Sequence, residues 1–261
     1  MFKRFWNCWC ESVSFFTIIP TFIKPDIKQR IDGKQSSDFL IAAPLIGLIT
    51  AALGALTANI ILSLDLNAMI GGFCVLGVFI ILTGALHEDG LADYMDAIAY
   101  HGLIKKRIEI MRDSRLGTFA VIALVLVLAL NALSITSILE HPNPTLWLVC
   151  FIAAEMSARG WFTSARYLIP PLKSQVSLRH HHIPTLFQAL LTLIIAYLFL
   201  WIYFSTWSAF LLTLIHCISF AIWVKITHHK LGGINGDCLG ALFSFQRILA
   251  LMALSLLIPA S

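Results

Sequence analysis

Asp89, Asp93 and Asp96 stand at i, i+4 and i+7 in the run His87-Glu88-Asp89-Gly90-Leu91-Ala92-Asp93-Tyr94-Met95-Asp96. On a helix they share one face. Three bare carboxylates on one face repel each other, and a divalent cation or basic groups among them relieve the repulsion. Carboxylate and water ligands suit Mg²⁺, which keeps several waters and takes few protein carboxylates beside substrate phosphates. The bland alternative is a solvated charged face. The setting favours the metal: the run follows an apolar span, carries Gly90 and Ala92 between its acids, and is followed by Arg107, Arg112 and Arg115. Six of the chain's 14 carboxylates lie between Glu88 and Asp113.

Arg112 and Arg115, with Lys105 and Lys106, are what a phosphate needs beside a metal. Glu109 and Asp113 either add ligands or orient these arginines, and orientation is the better reading. The alternative is a helix laced with exposed ion pairs. Glu155 and Arg159, at i and i+4 near the end of an apolar span, suggest a buried pair or a phosphate contact. Arg166 fits snorkelling to the interface equally well. The turn Gly232-Gly233-Ile234-Asn235-Gly236-Asp237 offers close backbone approach and N–H groups to a phosphate, with a helix starting just behind it. Asp237 reads as the N-cap of that helix or as a functional group. His180, His181, His182, His228 and His229 lack the companions of a transition-metal site and read as loop residues. His87, two residues before Asp89, is expected to hydrogen-bond to the acidic site.

The elements that must position these groups are membrane helices. Only 12% of the 261 residues are charged and 59% are hydrophobic, against about 25% charged in an ordinary soluble domain. The expected architecture is one all-α domain, a polytopic helical bundle of about seven spans at 39–64, 67–86, 117–138, 145–162, 185–204, 207–224 and 238–258. Pro44, Gly47 and Gly54 predict a kink or tilt in the first of them. Residues 2–16 place Phe2, Phe5, Trp6, Trp9, Val13 and Phe16 on one helical face, which predicts an amphipathic helix in the membrane interface or packed on the bundle. Lys24 to Asp38 reads as a polar loop. The six cysteines form no C-x-x-C pair and read as free thiols. No removable signal peptide is expected.

Seventeen of the 18 Lys and Arg fall before residue 39 or in 87–117, 157–184 and 225–237, and Arg247 is left over. The positive-inside rule then puts the N-terminus and these three connections in the cytoplasm and the C-terminus outside. All plausible chemistry faces the cytoplasm. A basic balance of this kind reflects topology, and no groove pattern for nucleic acid is present.

Three motifs together resemble the cobalamin synthases, the adenosylcobinamide-GDP ribazoletransferases. They are His87-x-Asp89-Gly90-Leu91-Ala92-Asp93-x-x-Asp96, Arg107-Ile108-Glu109-Ile110-Met111-Arg112-Asp113-Ser114-Arg115-x-Gly117-Thr118, and Gly232-Gly233-x-x-Gly236-Asp237-x-Leu239-Gly240-Ala241. Phe15-Phe16-Thr17-x-x-Pro20 and Pro44-Leu45-x-Gly47 extend the likeness over nearly the whole chain. Departures are Glu88 for an apolar residue, Ala97 for Gly and Asn235 for Thr; Glu88 adds a carboxylate beside the metal face. The resemblance implies transfer of the adenosylcobinamide phosphate moiety from its GDP ester to α-ribazole or α-ribazole 5′-phosphate, with release of GMP. It also implies Mg²⁺ and the bacterial inner membrane, where other cobalamin-assembly enzymes are conceivable partners. In that chemistry Asp89, Asp93 and Asp96 would hold Mg²⁺, with Asp93 or Asp96 as the base. Arg112, Arg115 and Arg159 would clamp phosphate oxygens, and Gly232, Gly233, Gly236, Asp237 and His87 would line the substrate site. A CDP-alcohol phosphatidyltransferase is the nearest competitor, but Asp93 stands where its D-G-x-x-A-R pattern wants Arg. A cation or solute transporter would place its charges at the bilayer midplane, whereas here they gather at one face.

Overall fold

The computed structural model describes residues 2–21, 37–172 and 183–257. Most of the expected polar loop and the His180–His182 run lie outside them. Within the described residues the chain is helical, with no strand and one isolated bridge, Pro171 to Ile234. The helices are α1 (Phe2–Phe16), α2 (Ala43–Ser63, entered through a 3-10 turn Ser37–Ala42), α3 (Ala68–Leu82), α4 (Leu86–Ala99) and α5 (Ile104–Ile110). They continue as α6 (Thr118–Leu139), α7 (Pro144–Leu168), α8 (Leu186–Tyr203), α9 (Thr206–Leu231) and α10 (Gly236–Leu257).

Several starts are local. Asn67, Asn143 and Ser205, all in connections without Lys or Arg, accept hydrogen bonds from the first-turn N–H groups of α3, α7 and α9. Thr185 and Gln188 form a reciprocal capping box on α8. Pro44 falls in the first turn of α2, where its missing N–H costs nothing, so it starts that helix and does not kink it. His228 and His229, expected in a loop, belong to the last turn of α9.

Among the described residues, five helices are long and apolar enough to cross a membrane: Leu40–Ser63, Thr118–Leu139, Leu186–Tyr203, Thr206–Leu231 and Gly236–Leu257. A sixth is counted if α3 and α4, bent 88° to each other, form one broken span. By length and composition the described helices thus give five or six spans against the seven read from hydropathy. Two expected spans behave differently. At about 1.5 Å per residue, α3 is roughly 22 Å long, short of a ~30 Å hydrocarbon layer. The helix α7 is long enough, but Glu155, Arg159 and Arg166 dilute its hydropathy, and every residue from Ala153 to Arg166 is buried. It is the inner helix of the bundle, packed by α2, α8 and α10. The apolar residues that remain exposed, such as Leu56 and Ile60 on α2 and Val125 and Leu126 on α6, form the surface that lipid covers.

The helix α1 packs by its C-terminal half. Cys10, Ser12, Val13 and Phe16 are buried while Trp6 and Phe15 are about half exposed, at 48% and 49%. Phe16 stacks on Phe162 of α7, and with Val13 and Phe243 of α10 it forms a small cluster beside the main core. None of the six cysteines forms a disulfide.

Candidate active site

The turn into α4 sets the site. Gly84 and Ala85 both adopt left-handed backbone conformations, φ +59° and +56°. Glycine does so freely; for Ala85 it costs roughly 1–2 kcal/mol. The pair swings the chain through 88°, so α4 runs crosswise to α3. With four carboxylates in its 14 residues, α4 carries the acidic segment.

The helix α4 lies along α10 at close range. A Cβ added at Gly90 would stand 2.8 Å from the backbone of Asp237, closer than real side chains approach. Gly240 lies beside the backbone of His87, which is 3.3 Å from where a Cβ on Gly240 would stand, and the His87 carbonyl accepts a bond from Ser244 Oγ at 3.3 Å. This seam brings Asp237 to the acidic helix. Asp89 is exposed, and Asp93, Asp96 and Asp237 are partly buried. Burial, followed by the carboxylates of Asp237, Asp89 and Asp96, pushes the Asp93 carboxyl up to about 7. No three His, Cys, Asp or Glu side chains among the described residues already stand at ligating distance for a metal. The donor set nonetheless suits a hard divalent cation, because it is all carboxylate.

Asp96 has a second task. Its two oxygens accept from Gly117 N at 2.6 Å and Ala120 N at 2.9 Å, capping α6 from another helix. Gly117 is required there, because a Cβ would lie 2.6 Å from that carboxylate. Asp96→Ala is expected to destabilise the protein by about 1–2 kcal/mol through two orphaned N–H groups. Thermal melting in detergent checks it; an unchanged midpoint would refute the cap.

The capped loop carries Arg112 and Arg115, both exposed. Arg115 is paired with Asp113 at 2.6 Å, and its hydrogen bonds hold the Asp113 carboxyl down to about 2. The pair is solvent-facing, so it orients Arg115 and adds little stability. Arg107 instead binds the carbonyls of Tyr100 and Lys230, closing the C-terminal end of α9.

The Gly-rich turn begins with Gly232, which ends α9 at φ +69°. Ile234 then pairs with residues 170–172: its N–H goes to Pro170 O at 2.9 Å and its carbonyl accepts from Leu172 N at 3.0 Å. Gly232 and Gly236 are exposed and Gly233 is buried against this pairing. The cap of α10 is Asn235, whose Oδ1 accepts from Cys238 N at 3.0 Å while its Nδ2 donates to Asp237. Asp237 is thus released from the capping role that its position suggested.

Two expected site residues point inward. His87 is buried, with Phe243 4.0 Å away between ring centres, and its Nε2 has no hydrogen-bond partner. Arg159 is wholly buried and bonded to Glu155 at 2.6 Å. What the sequence reading missed is Arg247 on α10, buried and bonded to Glu88 at 2.8 Å. The available signals were that Arg247 is the one cation outside the basic segments and that Glu88 departs from the family's apolar residue.

A family profile described as Cobalamin-5-phosphate synthase matches residues 9–255. An adenosylcobinamide-GDP ribazoletransferase of Vibrio cholerae serotype O1 is 31% identical over 251 residues, covering 93% of this chain and 91% of its own. One of Rhizobium etli is 29% identical over 249 residues, covering 94% and 95%. One of Allorhizobium ampelinum is 31% identical over 228 residues, covering 82% and 84%. No solved structure matches the chain. With the three motifs joined at the α4–α10 seam and the loop before α6, and the profile matched almost end to end, the chain belongs to the cobalamin-5-phosphate synthase family.

Proposed function

We propose that this protein is an Mg²⁺-dependent adenosylcobinamide-GDP ribazoletransferase. It moves the adenosylcobinamide phosphate moiety onto α-ribazole or its 5′-phosphate and releases GMP. The observation that carries the reading is the convergence of Asp89, Asp93 and Asp237 on adjoining helices, with Asp93 poised near neutrality. Mg²⁺ bound there supplies charge neutralisation for the pyrophosphate and for the departing GMP. Asp89 and Asp237 are the ligands best placed to hold it. Asp93, one helical turn after Asp89 on the same face, accepts the proton of the attacking ribose hydroxyl. Asp96 is assigned to the same acidic face chiefly as the anchor of the loop that carries the arginines. Arg112 and Arg115 hold phosphate oxygens from that loop. Gly232 and Gly236 leave room for substrate beside Asp237. Arg159 and His87 support the site from behind.

The acidic face is cytoplasmic on this reading, in the bacterial inner membrane, with the N-terminus inside. On a Cys-free background, Ser114→Cys is expected to label only from the cytoplasmic side and Asp65→Cys only from outside. Labelling of Ser114→Cys from outside would overturn this orientation. The activity itself is tested with purified protein, adenosylcobinamide-GDP and α-ribazole phosphate, following GMP release and the mass of the corrinoid product. Mg²⁺-dependent formation of the joined corrinoid is expected; hydrolysis without joining, or no product, defeats the assignment.

A further inference from the structure

Behind the acidic face lies a buried array of charge. Arg247 of α10 reaches Glu88 Oε1 on α4 at 2.8 Å, and its Nη1 faces Glu155 Oε1 on α7 at 3.9 Å. Glu155 Oε2 accepts from Arg159 Nη1 at 2.6 Å and from Thr50 Oγ1 of α2 at 2.8 Å. The ring of Phe243 meets both guanidiniums, its centre 4.5 Å from that of Arg159 and 5.0 Å from that of Arg247. The array joins α2, α4, α7 and α10 inside the bundle.

A buried ion pair contributes little net stability, because desolvation offsets the attraction; what it can supply is geometric specificity. The α4–α10 seam needs that. Its facing surfaces carry Gly90 and Gly240 at the contact. Such small residues allow close approach but grip little, so rotation of α4 about its own axis is opposed by the polar bonds it makes: Asp96 to the cap of α6, Tyr94 to Thr227 of α9, and Glu88 to Arg247. Glu88 is the residue before Asp89, so a bond that fixes Glu88 fixes the angle at which Asp89 and Asp93 leave the helix. Arg247 stands on the same helix as Asp237. Of these bonds, the Glu88–Arg247 pair ties α4 directly to the helix that carries Asp237.

We propose that Arg247, through Glu88, is a positioning residue that holds Asp89 and Asp93 of α4 in register with Asp237 of α10. Glu88 on this account is no extra ligand for a cation; its carboxylate is turned to the interior. The inference rests on the reading of the acidic face as a divalent-cation site.

The test is the double variant Glu88→Met/Arg247→Met, which removes both charges and leaves Glu155 paired with Arg159. Full-length protein in detergent is compared with wild type in melting temperature, in Mn²⁺ binding followed by the EPR signal of the free ion, and in the Mg²⁺ dependence of transfer. The expected result is a melting temperature near wild type with Mn²⁺ affinity and kcat lowered roughly ten- to a hundredfold. If the double variant does not fold, Glu88→Gln takes its place. It keeps an acceptor for Arg247 and is expected to weaken Mn²⁺ binding by a smaller factor in the same direction. Wild-type Mn²⁺ affinity and kcat in whichever variant folds would overturn the positioning role and leave the transferase reading intact. Wild-type protein that neither binds Mn²⁺ nor forms the corrinoid product would overturn the transferase reading, and the positioning role with it.

Discussion

Asp93→Asn is expected to lower turnover roughly 10²–10⁴-fold, the range of a lost general base, while making the cation-free protein more stable. The two effects have one cause. Burial and the carboxylates of Asp237, Asp89 and Asp96 hold the Asp93 carboxyl near 7, whereas in the unfolded chain it titrates near its ordinary value of about 3.9. Between those two values the folded state binds more protons than the unfolded state, so stability falls as pH rises. At pH 8 without divalent cation, the wild type therefore carries a repulsion that Asn removes. Asp93 is only half-buried, so solvent screens much of it, and the expected gain is about 1–2 kcal/mol. Added Mg²⁺ should raise the wild-type melting temperature more than that of the variant, since the cation relieves the same repulsion. Melting from pH 4 to 8 with and without Mg²⁺, beside a GMP-release assay, decides it. Full turnover in Asp93→Asn, or a wild-type melting temperature that climbs from pH 4 to 7, would sink the assignment. Asp89→Asn is expected to lose most activity too.

Arg115→Lys is expected to hurt nearly as much as Arg115→Ala, by roughly 2–4 kcal/mol of transition-state stabilisation, the scale of a lost preorganised donor. Lysine offers a point charge in place of a planar fork and cannot bridge two phosphate oxygens. Arg115 lies two residues before Gly117, whose N–H is bonded to Asp96, and the Asp113 carboxylate grips its guanidinium by two nitrogens. The loop thus carries an oriented, exposed guanidinium tied to the acidic helix. If Arg115 served only the exposed pair with Asp113, either substitution would be nearly silent, because such a pair is worth little. Wild-type kcat and KM for adenosylcobinamide-GDP in Arg115→Lys would refute the clamp and shift attention to Arg112, which sits in the same loop.

Hydropathy and helical spacing were enough to identify a helical membrane protein and to put Asp89 and Asp93 on one face of one helix. Both are local properties: an apolar run long enough to span lipid does so in almost any packing, and residues four apart share a helix face wherever the helix lies. Motif resemblance reached the family for a similar reason, since it compares residue types in order and needs no contacts.

The rest depended on contacts between residues distant in the chain. Asp96 shares the spacing of Asp89 and Asp93, yet its carboxylate caps α6, 21 and 24 positions away. Asp237 looked like a cap until Asn235 took that role and the close approach at Gly90 brought it to the acids. Glu88 looked like one more carboxylate on the acidic face, but it binds Arg247, 159 positions away. The same holds for α7, whose Glu155 and Arg159 suggested a buried pair or a phosphate contact near the end of a span. In the tertiary structure it is the inner helix, where Glu155 is bonded to Arg159 and faces Arg247 within the protein. Periodicity states which way a side chain leaves its own helix. Which groups meet is decided by how closely the helices approach and at what rotation, and here that followed from a left-handed Ala85, two glycines at a seam and a buried arginine.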